Sequence, residues 1–149
     1  MRVLIDTNVI LDFVLNRVPF ADDATALFQH IEQQTFSAVV SASAVTDIFY
    51  LLKKEKVDAV AFLKDFLSAV DVLGVDKTII MCALHSGWAD FEDAVQAQAA
   101  IENNIDAIIT RNAKDYNQLQ NIQVLTPTEL LSASGGQRSG QRRKKLTES

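Results

Sequence analysis

Four aspartates, Asp6, Asp47, Asp93 and Asp115, stand where an α/β chain gathers its chemistry. Asp6 directly follows the apolar run Val3-Leu4-Ile5. Asp47 comes early in the helical pattern after Ser37–Val40, Asp93 in the first turn of a helix beginning near Asp90, and Asp115 after Ala107–Ile109 and Thr110-Arg111-Asn112. In open parallel sheets, ligands collect at the carboxyl ends of the strands. Carboxylates that converge there without matching bases describe a site for a hard cation with oxygen ligands, Mg²⁺ or Mn²⁺. Without a cation they would repel and raise one another's pKa values. With one, they could position and activate water and stabilise the charge of an in-line phosphoryl displacement. Such chemistry needs no serine, cysteine or histidine nucleophile.

Each acid also has a plainer reading. Asp6 and Asp93 could cap helices or complement the positive end of a helix dipole. Asp93 fits that reading least well, because positions 93, 97, 100 and 101 share one helical face and set its carboxylate among Ala97, Ala100 and Ile101. An acid on an apolar face is costly unless something pairs it. Asp47 lies nearly opposite the Val45, Ile48, Phe49, Leu52 stripe, so it is either a solvated acid or, if that side is covered, a site residue beside Tyr50 and Leu51. His30 and His85 lack a zinc spacing with Cys82, and no glycine-rich phosphate loop is present. Met81, Cys82, Leu84 and Trp88 read as packing residues. Lys53 and Lys54, with Arg111 and Lys114, are among the few groups that could grip a phosphate backbone.

The elements that must position these acids alternate. Apolar runs at Val3–Ile5, Ser37–Val40, Val70–Leu73, Ala107–Ile109 and, more weakly, Ile122–Val124 read as five strands. Helical patterns at Val9–Leu15, Ala21–Gln34, Val45–Leu52, Val57–Ala69, Thr78–His85, Asp90–Glu102 and Pro127–Leu131 lie between or after them. This order predicts an α/β fold, a central parallel sheet of about five strands covered by helices on both faces. No repeat period appears. Residues 1–133 read as one domain, and 134–149 as a polar, glycine-containing, disordered tail.

Charge sharpens the picture. The tail holds five basic residues against one acid, +4, so a formal net charge of −5 leaves −9 on the body. A body this acidic does not attract nucleic acid by a general field. With 48% apolar and 22% charged residues among 149, the body should bury a sizeable core. One cysteine excludes an internal disulfide, and the acid at Asp6 leaves no room for the apolar core of a signal peptide. No apolar run reaches membrane-span length, so a soluble, cytoplasmic protein is expected.

Taken in order, four segments resemble the PIN-domain family: Val3–Asp12, Ser41–Ile48, Asp90–Ala100 and Ile109–Tyr116. The resemblance spans residues 1 to about 131 and is strongest to its small stand-alone VapC-like toxin ribonucleases. It implies a three-layer α/β/α fold, a Mg²⁺ or Mn²⁺ site and endoribonuclease activity on RNA, and for the toxin branch an antitoxin partner and a homodimer. By position, Asp6 and Asp93 become principal metal ligands, completed by Asp47 and Asp115. Thr7 and Asn8 would orient the first acid by hydrogen bonds, and Asp90 and Glu92 crowd the third segment. The toxin branch usually carries Glu at the second acidic position, where Asp47 is one methylene shorter. At the fourth, either Asn112 or Asp115 could face the metal.

Two other classes compete. A PIN-like module with an inactive site would act by binding RNA or protein, and loss of metal-dependent cleavage would mark it. An aspartate-phosphorylated α/β domain would want a second acid two residues after Asp6, and Asn8 stands there instead.

Overall fold

The computed structural model describes residues 1–138, with side chains described for 1–133. Five strands form one sheet: β1 (Arg2–Ile5), β2 (Ser37–Ser41), β3 (Asp71–Leu73), β4 (Ala107–Ile109) and β5 (Gln123–Leu125). All pair in parallel in the order β3-β2-β1-β4-β5, with Val3 in register with Ala38 on one side and Ala107 on the other. A parallel strand covered on both faces has no wet side, which is why Val3, Leu4 and Ile5 form an unbroken apolar run with no exposure.

Successive side chains on a strand point to opposite faces, so β1 feeds two cores. Val3 and Ile5 pack among α1 (Thr7–Val14), α2 (Ala21–Glu32), α3 (Ala42–Lys54), α4 (Ala59–Phe66) and Leu130 of α7 (Pro127–Arg138). Leu4 packs on the other face with α5 (Lys77–His85), α6 (Phe91–Glu102) and Tyr116. Each fully buried Leu, Ile or Val of this kind stabilises the fold by about 1.5–3 kcal/mol. The expected three-layer α/β/α architecture is therefore present.

Side-chain caps set several helix starts. Ser41, Asp58, Asp76 and Asp90 each accept a hydrogen bond from the backbone N–H three residues on. The Asp58 cap explains why α4 begins at Ala59 rather than Val57. A short 3-10 turn at Ala113–Tyr116, with no apolar periodicity of its own, was not expected from the sequence. α7 continues to Arg138, beyond the single turn anticipated at Pro127–Leu131 and into the stretch read as tail. Residues 139–149, with most of the basic charge, lie outside the described residues.

The packing assignment in α5 needs correction. Ile79 and Ala83 set its buried face, one turn apart, and Met81, Cys82 and Leu84 fall on the exposed side. Trp88 alone of the four packs, against the second core and the Tyr116 ring.

The connectivity places the site. The chain steps outward from β1 to β2 to β3, then returns to lay β4 against the free side of β1. That reversal opens a crevice at the carboxyl ends of β1 and β4, the general location of ligand sites in such sheets.

Candidate active site

Asp6 emerges from β1 at the reversal and is 8% exposed. It occupies the position before α1 with extended backbone angles, φ −67° and ψ 148°, yet its carboxylate caps nothing. Instead Oδ1 accepts a hydrogen bond from Gln96 Nε2 at 2.9 Å, and Oδ2 accepts one from Thr110 Oγ1 at 2.7 Å. Its backbone N–H donates to the Ile109 carbonyl at 2.9 Å. The first acid is thus held from α6 and from the end of β4, and the plain capping reading does not describe it.

Thr7 and Asn8 do not take the expected part in this. Thr7 Oγ1 is buried without a hydrogen-bond partner, and Asn8 Oδ1 accepts only a long 3.4 Å bond from Arg17. Both residues belong to the first turn of α1 and line the cleft beside Asp6.

Asp93 is tied to Asp6 through a buried bridge. Gln96 Nε2 also donates to the Tyr116 hydroxyl at 2.9 Å, and that hydroxyl donates to Asp93 Oδ1 at 3.1 Å. The amide must present nitrogen to Asp6, since its oxygen there would meet a carboxylate. Burial first, then the charges of Asp6 and Asp93, push the Tyr116 pKa far above the usual tyrosine range, so it serves as a donor. Asp93 itself is raised to about 6 by burial and then by the charges of Asp90 and Asp6, against the lowering effect of the Tyr116 bond. The buried neighbours of Asp93 along the helix are Gln96, Ala97 and Ala100, whereas Ile101, expected on that face, is 44% exposed. Asp90 caps α6 by accepting the Asp93 N–H at 2.9 Å, so Asp90, not Asp93, is the helix cap.

The opposite wall comes from α3. Asp47 is exposed, yet it lines the same cleft of about 550 Å³ as Asp6, Asp93, Asn112 and Asp115. Its two alternative readings meet, since that side of the helix, with Tyr50 and Leu51, faces an open cleft. Glu92, one residue before Asp93, reaches across toward the Asp47 carboxyl, and its Oε2 is buried without a hydrogen-bond partner. Burial first, then Asp47, then the charges of Asp6 and Asp90, push the Glu92 pKa up to about 8. Asn112 and Asp115 are both exposed at the mouth, and the charge of Asp115 reaches Asp93.

Sequence reasoning missed Gln96, Thr110 and Tyr116, and it left Glu92 at the margin. A polar Gln three residues after Asp93, within a run of buried alanines, was the available signal.

The expected phosphate-gripping cations separate. Lys54 lines the cleft, and exposed Lys53 does not. Lys114 borders an adjoining groove with Asp90, Asp93 and Asp115. Arg111 is committed elsewhere: its Nε lies 2.7 Å from Asp12 Oδ2, its Nη2 donates to Oδ1 at 3.2 Å, and its guanidinium sits 4.0 Å over the Phe20 ring. Asp12 is 1% exposed, and a buried acid requires such a partner. Six acids and one lysine among the described residues therefore line the cleft, so its field is negative. Among the described residues, no three His, Cys, Asp or Glu side chains stand close enough together to hold a metal ion as placed. No helix of the described residues is long and apolar enough to cross a membrane.

Known proteins share this fold. A chain of a Klebsiella pneumoniae toxin–antitoxin complex superposes with a TM-score of 0.64 at 22% identity, covering 84% of this chain and 97% of its own. The sarcin-ricin loop cleaving toxin VapC20 of Mycobacterium tuberculosis gives 0.64 at 14% identity, covering 81% and 98%. VapBC-1 from nontypeable Haemophilus influenzae gives 0.64 at 18% identity, covering 86% and 99%. At these identities the likeness is one of fold. No curated protein matches the chain in sequence. Residues 2–114 match the family model described as PIN domain, and the chain belongs to the PIN-domain family.

Proposed function

We propose that this protein is a divalent-metal-dependent endoribonuclease and the toxin of a toxin–antitoxin pair. The observation that carries the reading is the concentration of six acids in one cleft, two of them, Asp6 and Asp93, linked through Gln96 and Tyr116. The donor set is all hard oxygen, which suits Mg²⁺ or Mn²⁺. The unpartnered Glu92 Oε2 and the raised pKa values of Glu92 and Asp93 mark carboxylates that lack a neutralising charge. These residues fit a cation, which Asp6 and Asp93 would hold with help from Asp47, Asp115 and Glu92. When bound, the metal would lower the pKa of water and offset the charge of a phosphodiester undergoing in-line displacement.

The chain's own residues do the rest. Thr110 and Gln96 fix both oxygens of Asp6, so that acid is aimed before any ligand arrives. Tyr116 fixes Asp93. Lys54 stands ready to meet a phosphate at the α3 side of the cleft. An antitoxin partner is proposed by analogy with the toxin–antitoxin complex and VapBC neighbours, and a homodimer and a cytoplasmic location are proposed from the sequence resemblance alone.

The test is cleavage of single-stranded and structured RNA with Mg²⁺ or Mn²⁺, and with EDTA. Cleavage should require the metal. Undiminished cleavage in EDTA refutes metal dependence, and no cleavage with either ion favours the inactive binding module. Expression alone should arrest bacterial growth, and the Asp6→Asn variant should not.

A further inference from the structure

One face of α3 presents Asp47, Tyr50, Leu51 and Lys54 to the cleft, the i, i+3, i+4, i+7 spacing of a single helical stripe. Tyr50 is 67% exposed, the most exposed aromatic among the described residues. Phe49, which packs on the main core, meets its ring edge to face at 5.1 Å and 84°. Leu51 beside it is 39% exposed.

The charge of the cleft gives this apolar surface a purpose. Six acids repel a polyanion, and among the described residues Lys54 is the one lysine or arginine in the lining. The usual grip on nucleic acid, phosphate neutralisation by many basic groups, is therefore scarce here. Base stacking on an aromatic ring is the other general source of affinity, and it is largely insensitive to charge. A base inside a duplex offers no free face, so such a surface selects unpaired nucleotides.

We infer that Tyr50 is a stacking platform for an unpaired base of the RNA substrate, with Leu51 widening the surface and Lys54 meeting the adjoining phosphate. The inference rests on the nuclease reading and adds to it a base-binding residue on the α3 wall of the cleft. Tyr50 is a specificity residue in this account, and it takes no part in the reaction itself.

The experiment measures binding to a single-stranded RNA oligonucleotide carrying 2-aminopurine and to a fully paired RNA, in the Asp6→Asn background with Mg²⁺ to prevent cleavage. Steady-state cleavage is followed in parallel with otherwise wild-type protein. Tyr50→Ala should weaken single-strand binding on the order of tenfold or more. It should also relieve 2-aminopurine quenching, and raise KM while leaving kcat nearly unchanged. Tyr50→Phe should restore all three, because it keeps the ring. Duplex binding should be weak and unaltered, and the loss from Tyr50→Ala should persist at high salt. Unchanged single-strand affinity and KM in a folded Tyr50→Ala protein would overturn the inference and leave the nuclease reading standing. A change in oligomeric mass without a change in RNA affinity would overturn it too, assigning the face to a second copy. If the wild-type protein neither binds nor cleaves RNA with Mg²⁺ or Mn²⁺, both readings fall.

Discussion

The two walls of the cleft are built on opposite plans. On the sheet side, Asp6 and Asp93 sit in a closed network in which Thr110, Gln96 and Tyr116 donate to their carboxylates. On the α3 side, Glu92 faces Asp47 with one oxygen buried and unpartnered, and its pKa is driven to about 8. The carboxylates meet donors in one place, although burial still raises the Asp93 pKa to about 6, and face each other in the other. Hydrogen bonds to the ionised form keep an acid ready, whereas two facing carboxylates share a proton until a cation takes its place. The difference separates a rigid anchor from a responsive wall.

The largest test of that contrast is catalytic. Asp6→Asn and Asp93→Asn should each reduce metal-dependent cleavage by orders of magnitude, as loss of a ligand commonly does. Asp47→Asn should cost less, because exposed Asp47 has Glu92 beside it to supply a carboxylate. Initial rates at saturating Mg²⁺ decide this. Equal, near-total losses at all three would show that the α3 wall is as indispensable as the anchor.

Next in size is the anchor's own stability. Gln96→Leu keeps the buried volume but removes the donor to both Asp6 and Tyr116, leaving Oδ1 of a carboxylate without its partner. Stranding a buried polar group costs about 1–3 kcal/mol. Tyr116→Phe removes the bond to Asp93, which is half-buried and has water as a substitute, and one acceptor of the Gln96 amide, but it leaves the Gln96 bond to Asp6 in place, so it should cost less. Urea denaturation in EDTA measures both. A Gln96→Leu protein within about 0.5 kcal/mol of wild type, a change typical of neutral surface positions, would mean that the network positions the acids without stabilising the fold.

How much of this was legible in the residues follows from range. Val3-Leu4-Ile5 announces a buried parallel strand because burial on both faces leaves no polar alternation to confuse the period. Asp6, Asp47, Asp93 and Asp115 could be singled out because each follows a strand or lies in the first two turns of a helix. The anchor was hidden because Gln96 meets Asp6 across 90 residues of chain, and a lone polar residue in a helix reads first as solvent-facing. Glu92 was hidden for a related reason: only the packing of α6 opposite α3 brings it to Asp47. Met81 and Leu84 misled in reverse, since apolar character alone does not give helical phase, and Ile79 with Ala83 had already claimed the buried face.

The smallest effect concerns how the two raised acids, Glu92 of the responsive wall and Asp93 of the anchor, feel pH in the absence of metal. Glu92 binds its proton up to about pH 8 when folded, against 4.5 for the ordinary group, and Asp93 up to about 6 against 3.8. Between those limits the folded state holds protons that the unfolded chain has released, so stability falls as pH rises. The loss from Asp93 is complete near pH 6, and that from Glu92 continues to about pH 8. Both groups are half-buried, so solvent screening keeps the effect to roughly a few degrees in Tm. In EDTA, Tm should therefore decline between pH 6 and 8, and Glu92→Gln, which has no carboxyl to ionise, should flatten that decline. Added Mg²⁺ should flatten it in the wild type, because a bound cation replaces the shared proton. Parallel slopes for wild type and Glu92→Gln would place the tension elsewhere in the cleft. A slope in the wild type that Mg²⁺ leaves untouched would instead show that the Glu92–Asp47 wall does not meet the ion at all.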